Sequence, residues 1–174
     1  FWERFRAVVA QEPARLAHAD PLDAYTVEAV TRSCAGLPIR DIRFGFELRP
    51  RLVALVTAAE VAGLAWRAPS HLAVHPTFGP WISLRAVVLL DAPAPADRPA
   101  LAPSCTSCAT GCEPALARAL AASPVTSEGV RERWRLWLAV RDACPLGREA
   151  RFDDAALRYH YTGERKALAA AVQG

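Results

Sequence analysis

Three cysteines fall within eight residues, Cys105-x2-Cys108-x3-Cys112, and a fourth, Cys144, is followed by Pro145. In a reducing compartment, thiols gathered this closely bind a metal or a cluster more often than they pair as disulfides, because thiolates need a cation to be held side by side. Zinc sites usually bring their cysteines as two C-x2-C pairs, a spacing this chain lacks. Iron–sulfur clusters accept three closely spaced ligands with one remote, and a ligand cysteine followed by proline is a ferredoxin feature. The spacing therefore nominates Cys105, Cys108, Cys112 and Cys144 as ligands of a 4Fe-4S cluster, with zinc, or redox-active thiols without metal, as the alternatives. The run departs from the ferredoxin pattern C-x2-C-x2-C-x3-C-P: position 102 is alanine, and Glu113 stands where the proline would be. One ligand of that run is absent, so a single cluster depends on Cys144 folding back. Cys34 lies on an apolar helical face and reads as a core residue.

The elements that must position these thiols can be read from periodicity. Phe5, Val8 and Val9 have helical spacing within Trp2–Glu12. A second helix runs from Pro21 to Cys34. Asp20 before Pro21 is its start, since the carboxylate accepts orphan N–H groups and proline is pre-set for the first turn. Gly36 is its stop. Ile39–Leu48 alternates as a strand with one buried face. A long helix is expected from Pro50 to about Trp66. A strand follows from Ile82 to Leu90, apolar on both faces in its second half as in a central strand. Pro93, Pro95, Pro99 and Pro103 exclude regular structure from Asp91 to Ser104, which reads as a linker. Helices are then expected over Pro114–Ala122, over Ser127–Ala143 and from Asp153 onward, the last broken by Gly163. Trp134 with Trp137 and Tyr159 with Tyr161 read as core or interface pairs.

The chain has 174 residues, 52% hydrophobic and 22% charged, enough for a real core and unlike disordered or collagen-like sequences. Its longest apolar run, Ala86–Leu90, is far short of the roughly 20 residues of a membrane span. The net charge is +3, with 21 basic residues of which Lys166 is the only lysine, and the arginines are scattered. That distribution argues against nucleic acid as a partner. A start at Phe1 with no methionine anywhere reads as a fragment of a longer product.

One segment carries a family resemblance. His75-Pro-Thr-Phe-Gly-Pro-Trp-Ile-Ser-Leu-Arg-Ala-Val-Val-Leu-Leu90 resembles the loop–strand segment of cblC-type cobalamin processing proteins, the cytosolic chaperones that remove the upper ligand of incoming cobalamins. Phe1–Arg6, the Thr-Ala-Ala-x-Val-Ala-Gly run within Val53–Gly63, and Arg141-Asp142-Ala143 with Phe152–Tyr159 are similar to further parts of that family. Asp91–Leu116 resembles the junction between the cobalamin domain and the ferredoxin-like insert of epoxyqueuosine reductases. Members of the cblC type lack such a cysteine cluster, so the chain is intermediate between the two.

The resemblance implies an α+β fold: a nitroreductase-like cobalamin-binding domain with a small antiparallel sheet flanked by helices, followed by a short cysteine-rich C-terminal extension. The expected division is a cobalamin-binding core over 1–92 whose first strand lies upstream of Phe1, a linker over 93–104, and a cysteine segment with C-terminal helices over 105–174. It implies cobalamin contacts at His75, Pro76, Phe78, Gly79, Pro80, Trp81, Ser83 and Arg85. A corrin is a broad, mostly apolar disc edged with amides. Phe78 and Trp81 could supply a wall for it, while Gly79 and Pro80 shape the turn. His75 could ligate cobalt or bond the corrin edge; alternatively its ring is satisfied by backbone at a strand end. Arg85 would be a rim contact, or the partner of Asp91 or Glu60. Arg118 lies near a glutathione-binding arginine of the family and is the candidate catalytic residue, a solvated helix face being the plainer reading. The implied activity is a cytoplasmic cobalamin reductase or decyanase, fed by a thiol, a flavin or a ferredoxin-like protein, and forming a homodimer. The alternatives are a non-catalytic cobalamin carrier and a zinc-stabilised interaction domain.

Overall fold

A computed structural model of the chain describes residues 1–97, 105, 108 and 111–173. It is a mixed helix-and-sheet protein with antiparallel pairing. In chain order the elements are α1 (Trp2–Gln11), α2 (Pro21–Ser33), β1 (Ile39–Phe44), α3 (Leu55–Val61), β2 (Trp66–Arg67), β3 (Ala73–Val74), β4 (Ala86–Leu90), α4 (Cys112–Ala122), α5 (Ser127–Glu132), α6 (Trp134–Asp142), α7 (Asp154–Thr162) and α8 (Arg165–Gln173). They group into two compact units: Phe1–Val53 with Arg85–Pro93 and Asp153–Gly174, and Ala54–Leu84 with Ala94–Phe152.

In the first unit, Asp20 caps α2 by accepting from the N–H groups of Leu22 and Asp23, and Gly36 follows the helix at φ +84°. The apolar stripes of α1, α2, α7 and α8 meet in one core of Phe5, Val9, Leu22, Tyr25, Tyr159 and Leu168. Arg165 at the start of α8 donates to the carbonyls of Leu16, His18 and Ala19, tying the last helix to the turn before α2. Gly163 adopts a left-handed φ of +67° and ends α7, the break its sequence position predicts. β1 pairs with β4 antiparallel, Phe44 opposite Ala86 and Ile42 opposite Val88.

Four expectations are corrected here. The strand ending at Leu90 begins at Ala86 rather than Ile82, because Ile82 and Leu84 leave the strand to pack on Ala59, Ala65 and Ala73 in the second unit. Among the described residues β4 pairs only with β1, and Leu89 and Leu90 are 42% and 45% exposed, so the strand is not central. The helix expected over Pro50–Trp66 is reduced to α3. Arg51 instead turns back to Glu47, Asp41 and the Ile42 carbonyl, and Gly63 at φ +67° follows the shortened helix. The helix expected over Ser127–Ala143 is two, with Arg133 outside helical backbone between α5 and α6.

The second unit packs α4 on α6. Ala115 and Ala119, one turn apart, let the helices close on Val140, with Leu72, Leu116, Leu136 and Trp137 around them. Helix α4 starts two residues before the expected Pro114, which therefore sits in the first turn, where its missing N–H leaves no bond unmade. The linker expected over 93–104 is without helix or strand through residue 97; its remaining residues lie outside those described. Among the described residues no helix is long and apolar enough to cross a membrane.

Candidate metal centre

Four segments of the second unit enclose a cavity of about 160 Å³. The β2–β3 connection contributes Ala68, Ser70, Leu72 and Val74; the approach to α4 contributes Cys105, Cys108 and Cys112; the turn after α6 contributes Cys144, Pro145 and Leu146; and Pro80 completes the wall. The structure thus brings all four nominated cysteines to one cavity, although Cys144 is 39 residues beyond Cys105 (144 − 105). Each is free.

Local backbone arranges them. Helix α6 runs to Asp142 with a cap at Ala143, the Cys144 N–H donates to the Arg141 carbonyl at 3.0 Å, and Pro145 forbids a further helical turn. Cys108 is held at three atoms by three consecutive residues. Its carbonyl accepts from Gly111 N–H at 3.0 Å, its Sγ from Cys112 N–H at 3.4 Å, and its own N–H donates to Glu113 Oε1 at 3.1 Å. Gly111 must lack a side chain, since a Cβ there would stand 2.5 Å from Cys108 Sγ.

Burial pushes the thiols of Cys105 and Cys112 up, and their neighbouring cysteines add to the effect, while the Ser70 hydroxyl bonds Cys112 in the opposite sense. As thiols they are comfortable in this apolar cavity; as thiolates they require a cation, so metal uptake must release protons. Among the described residues no three His, Cys, Asp or Glu side chains already converge on a point where one ion could sit. A cluster makes a different demand from a single ion. It takes each cysteine on a separate iron, so its ligands ring a space, whereas zinc needs all four sulfurs about 2.3 Å from one centre. The four cysteines line one cavity.

The loop with the family resemblance lies against the same cavity. His75 and Gly79 exchange backbone N–H···O bonds of 2.8 and 2.9 Å, and His75 Nδ1 accepts from the N–H groups of Thr77 and Phe78 at 3.0 and 3.3 Å. One ring nitrogen is therefore used by the loop itself, the plainer of the two histidine readings. Phe78 stacks on the His75 ring at 4.8 Å and is exposed, as are Pro76 and Ser83. Trp81 is 4% exposed and meets Phe152 edge-on at 5.9 Å, with Arg151 over its ring; Pro80 is fully buried. Of the two aromatics nominated as a wall, only Phe78 presents a face to solvent.

Arg85 belongs to the first unit. Its expected partners, Asp91 and Glu60, are replaced by Asp23, 4.0 Å away, and its guanidinium lies over the Phe1 ring at 5.4 Å. Glu60 instead accepts from the Arg67 N–H. Arg118 is exposed on α4, whose Cys112, Ala115 and Ala119 are its buried residues. Sequence reading missed Ser70, whose hydroxyl reaches Cys112 only through tertiary folding, and gave no role to Glu113, whose signal was an acid directly after Cys112. Compared with models of known protein families and with curated proteins, the chain matches none.

Proposed function

We propose that this protein is a cobalamin-handling redox protein in which Cys105, Cys108, Cys112 and Cys144 hold a 4Fe-4S cluster, and that it reductively removes or exchanges the upper axial ligand of cobalamin. The observation that carries the redox half is the ring of four cysteines, one of them remote in sequence, around a single small cavity. Such a cluster supplies single electrons at low potential, which loss of a ligand such as cyanide from cobalt requires. The chain's own residues supply the thiolates, an apolar lining from Ala68, Leu72, Val74 and Leu146, and backbone hydrogen bonds that hold Cys108 and Cys144. The cavity is far smaller than the 300–1,000 Å³ or so of a typical small-molecule pocket, so it cannot be where a corrin binds.

The cobalamin half rests on the resemblance of residues 75–90, and on the position of that loop. Pro80 lines the cysteine cavity, while Phe78, two residues away, is exposed, so a corrin lying on Phe78 would be close to the electron source. Phe78 and Ser83 are the accessible contacts of the nominated set, with Pro76. Arg118 serves as the thiol-binding arginine in this reading.

Anaerobic purification followed by metal and sulfide analysis, absorption spectra and addition of hydroxocobalamin tests both halves. A visible band that bleaches with dithionite, with about four irons and four sulfides per chain, is the expected result. A colourless protein with stoichiometric zinc would overturn the cluster and make the cysteines a structural staple. Failure of hydroxocobalamin to co-elute at micromolar concentration would overturn the cobalamin half alone.

A further inference from the structure

The motif reading left Glu113 unassigned, as the residue that stands in place of a ferredoxin proline. In the fold its carboxylate reaches back past the start of the helix it belongs to. An acidic residue in a first helical turn ordinarily stabilises that helix's own unpaired N–H groups. Here Oε1 accepts from Cys108, four residues before α4 begins, at 3.1 Å. Together with Gly111 and Cys112 it leaves Cys108 with its N–H, carbonyl and sulfur all engaged, so the position of the Cys108 thiol at the cavity is fixed before any metal arrives.

We infer that Glu113 is a positioning residue of the cysteine site, holding the Cys108 backbone so that its sulfur faces the cavity, and placing a negative charge beside the ligand loop that lowers the potential of a bound cluster. The inference rests on the reading of the four cysteines as cluster ligands. Two physical consequences separate it from a merely structural role. A preformed ligand costs less ordering when metal binds, and partners of this second-layer kind typically contribute 10–100-fold to metal affinity. A carboxylate near a cluster disfavours the added electron, and an N–H committed to a carboxylate is unavailable to a cluster sulfur; both effects move the potential downward.

Glu113→Gln keeps an oxygen that can accept from Cys108 but removes the charge, and Glu113→Ala removes both. In the full chain, Glu113→Ala is expected to bind zinc, used as the simple metal probe, at least about tenfold more weakly than wild type. Glu113→Gln is expected to bind zinc close to wild type. After anaerobic reconstitution with ferrous iron and sulfide, its midpoint potential in a dithionite titration should be more positive. Unchanged zinc affinity in Glu113→Ala, or an unchanged potential in Glu113→Gln, would overturn the inference while leaving the cluster reading intact. A wild-type chain that takes up neither zinc nor iron would overturn both. Because Glu113→Gln retains the hydrogen bond, its potential reports on the charge even where Glu113→Ala proves poorly folded.

Discussion

Gly79 and Gly147 meet backbone to backbone, each with a left-handed φ, +56° and +65°. A Cβ on Gly79 would overlap the Leu146 carbonyl, and one on Gly147 would overlap the backbone of Phe78. The loop of residues 75–81 is thereby seated on the turn that follows Cys144. Gly147→Ala combines left-handed strain with overpacking and should cost about 2–4 kcal/mol in denaturant unfolding. Gly36→Ala is the control: the same sign of φ, but no atom within 4 Å of the new Cβ, for a cost of about 1–2 kcal/mol. Equal losses in the two variants would mean that the loop contact contributes nothing.

The cysteines divide by unit. Cys144→Ser should lose most of the iron taken up on anaerobic reconstitution, because the ring around the cavity is opened on the side that no neighbouring cysteine can fill. Cys34→Ala, at a buried position just past α2 in the first unit, should keep full iron content and show only a modest loss of thermal stability. Iron retention in Cys144→Ser equal to wild type would remove the remote cysteine from the ligand set.

Phe78 and Trp81 now separate as tests. Trp81→Ala empties a buried site against Phe152 and should destabilise the chain by about 3–5 kcal/mol, whatever it does to ligands. Phe78→Ala removes an exposed ring and should leave the unfolding midpoint near wild type while weakening hydroxocobalamin binding, measured by equilibrium dialysis. Unaltered corrin affinity in Phe78→Ala would take the loop out of the cobalamin proposal.

Asp23 should titrate far from the ordinary carboxylate range. Its burial, reinforced by Asp20 and only partly opposed by Arg85, pushes its carboxyl up to about 6. The folded state therefore holds a proton that the unfolded chain releases near pH 4. The sign follows: this group's contribution to stability is full below about pH 4 and is lost as the pH rises through about 6. Carboxyl-carbon NMR of the folded chain should place the midpoint near 6. Arg85→Ala should move it higher still, since the one influence lowering it is gone; a wild-type midpoint near 4 would contradict the burial described here.

Local signals in the chain translated directly. Asp20 before Pro21 and Gly163 within the last helical stretch act through neighbours a few residues away, so their physics is complete in the sequence: a cap and a left-handed stop. The strand expected over Ile39–Leu48 with one buried face ends at Phe44, and neither of its faces is buried. Where distant segments compete for the same side chains, sequence alone was silent. Ile82 and Leu84 look like the first half of a strand, yet they fill the core around Ala59 and Ala73. Arg85 has acidic residues closer in sequence than Asp23, yet lies against Asp23. Cys144 was one cysteine before a proline until α6 ended and turned it toward the other three. Residue types and short spacings set which side chains could ligate, cap and turn. Which of them meet was settled by folding, because burial of apolar area and closure of long loops are properties of the whole folded chain.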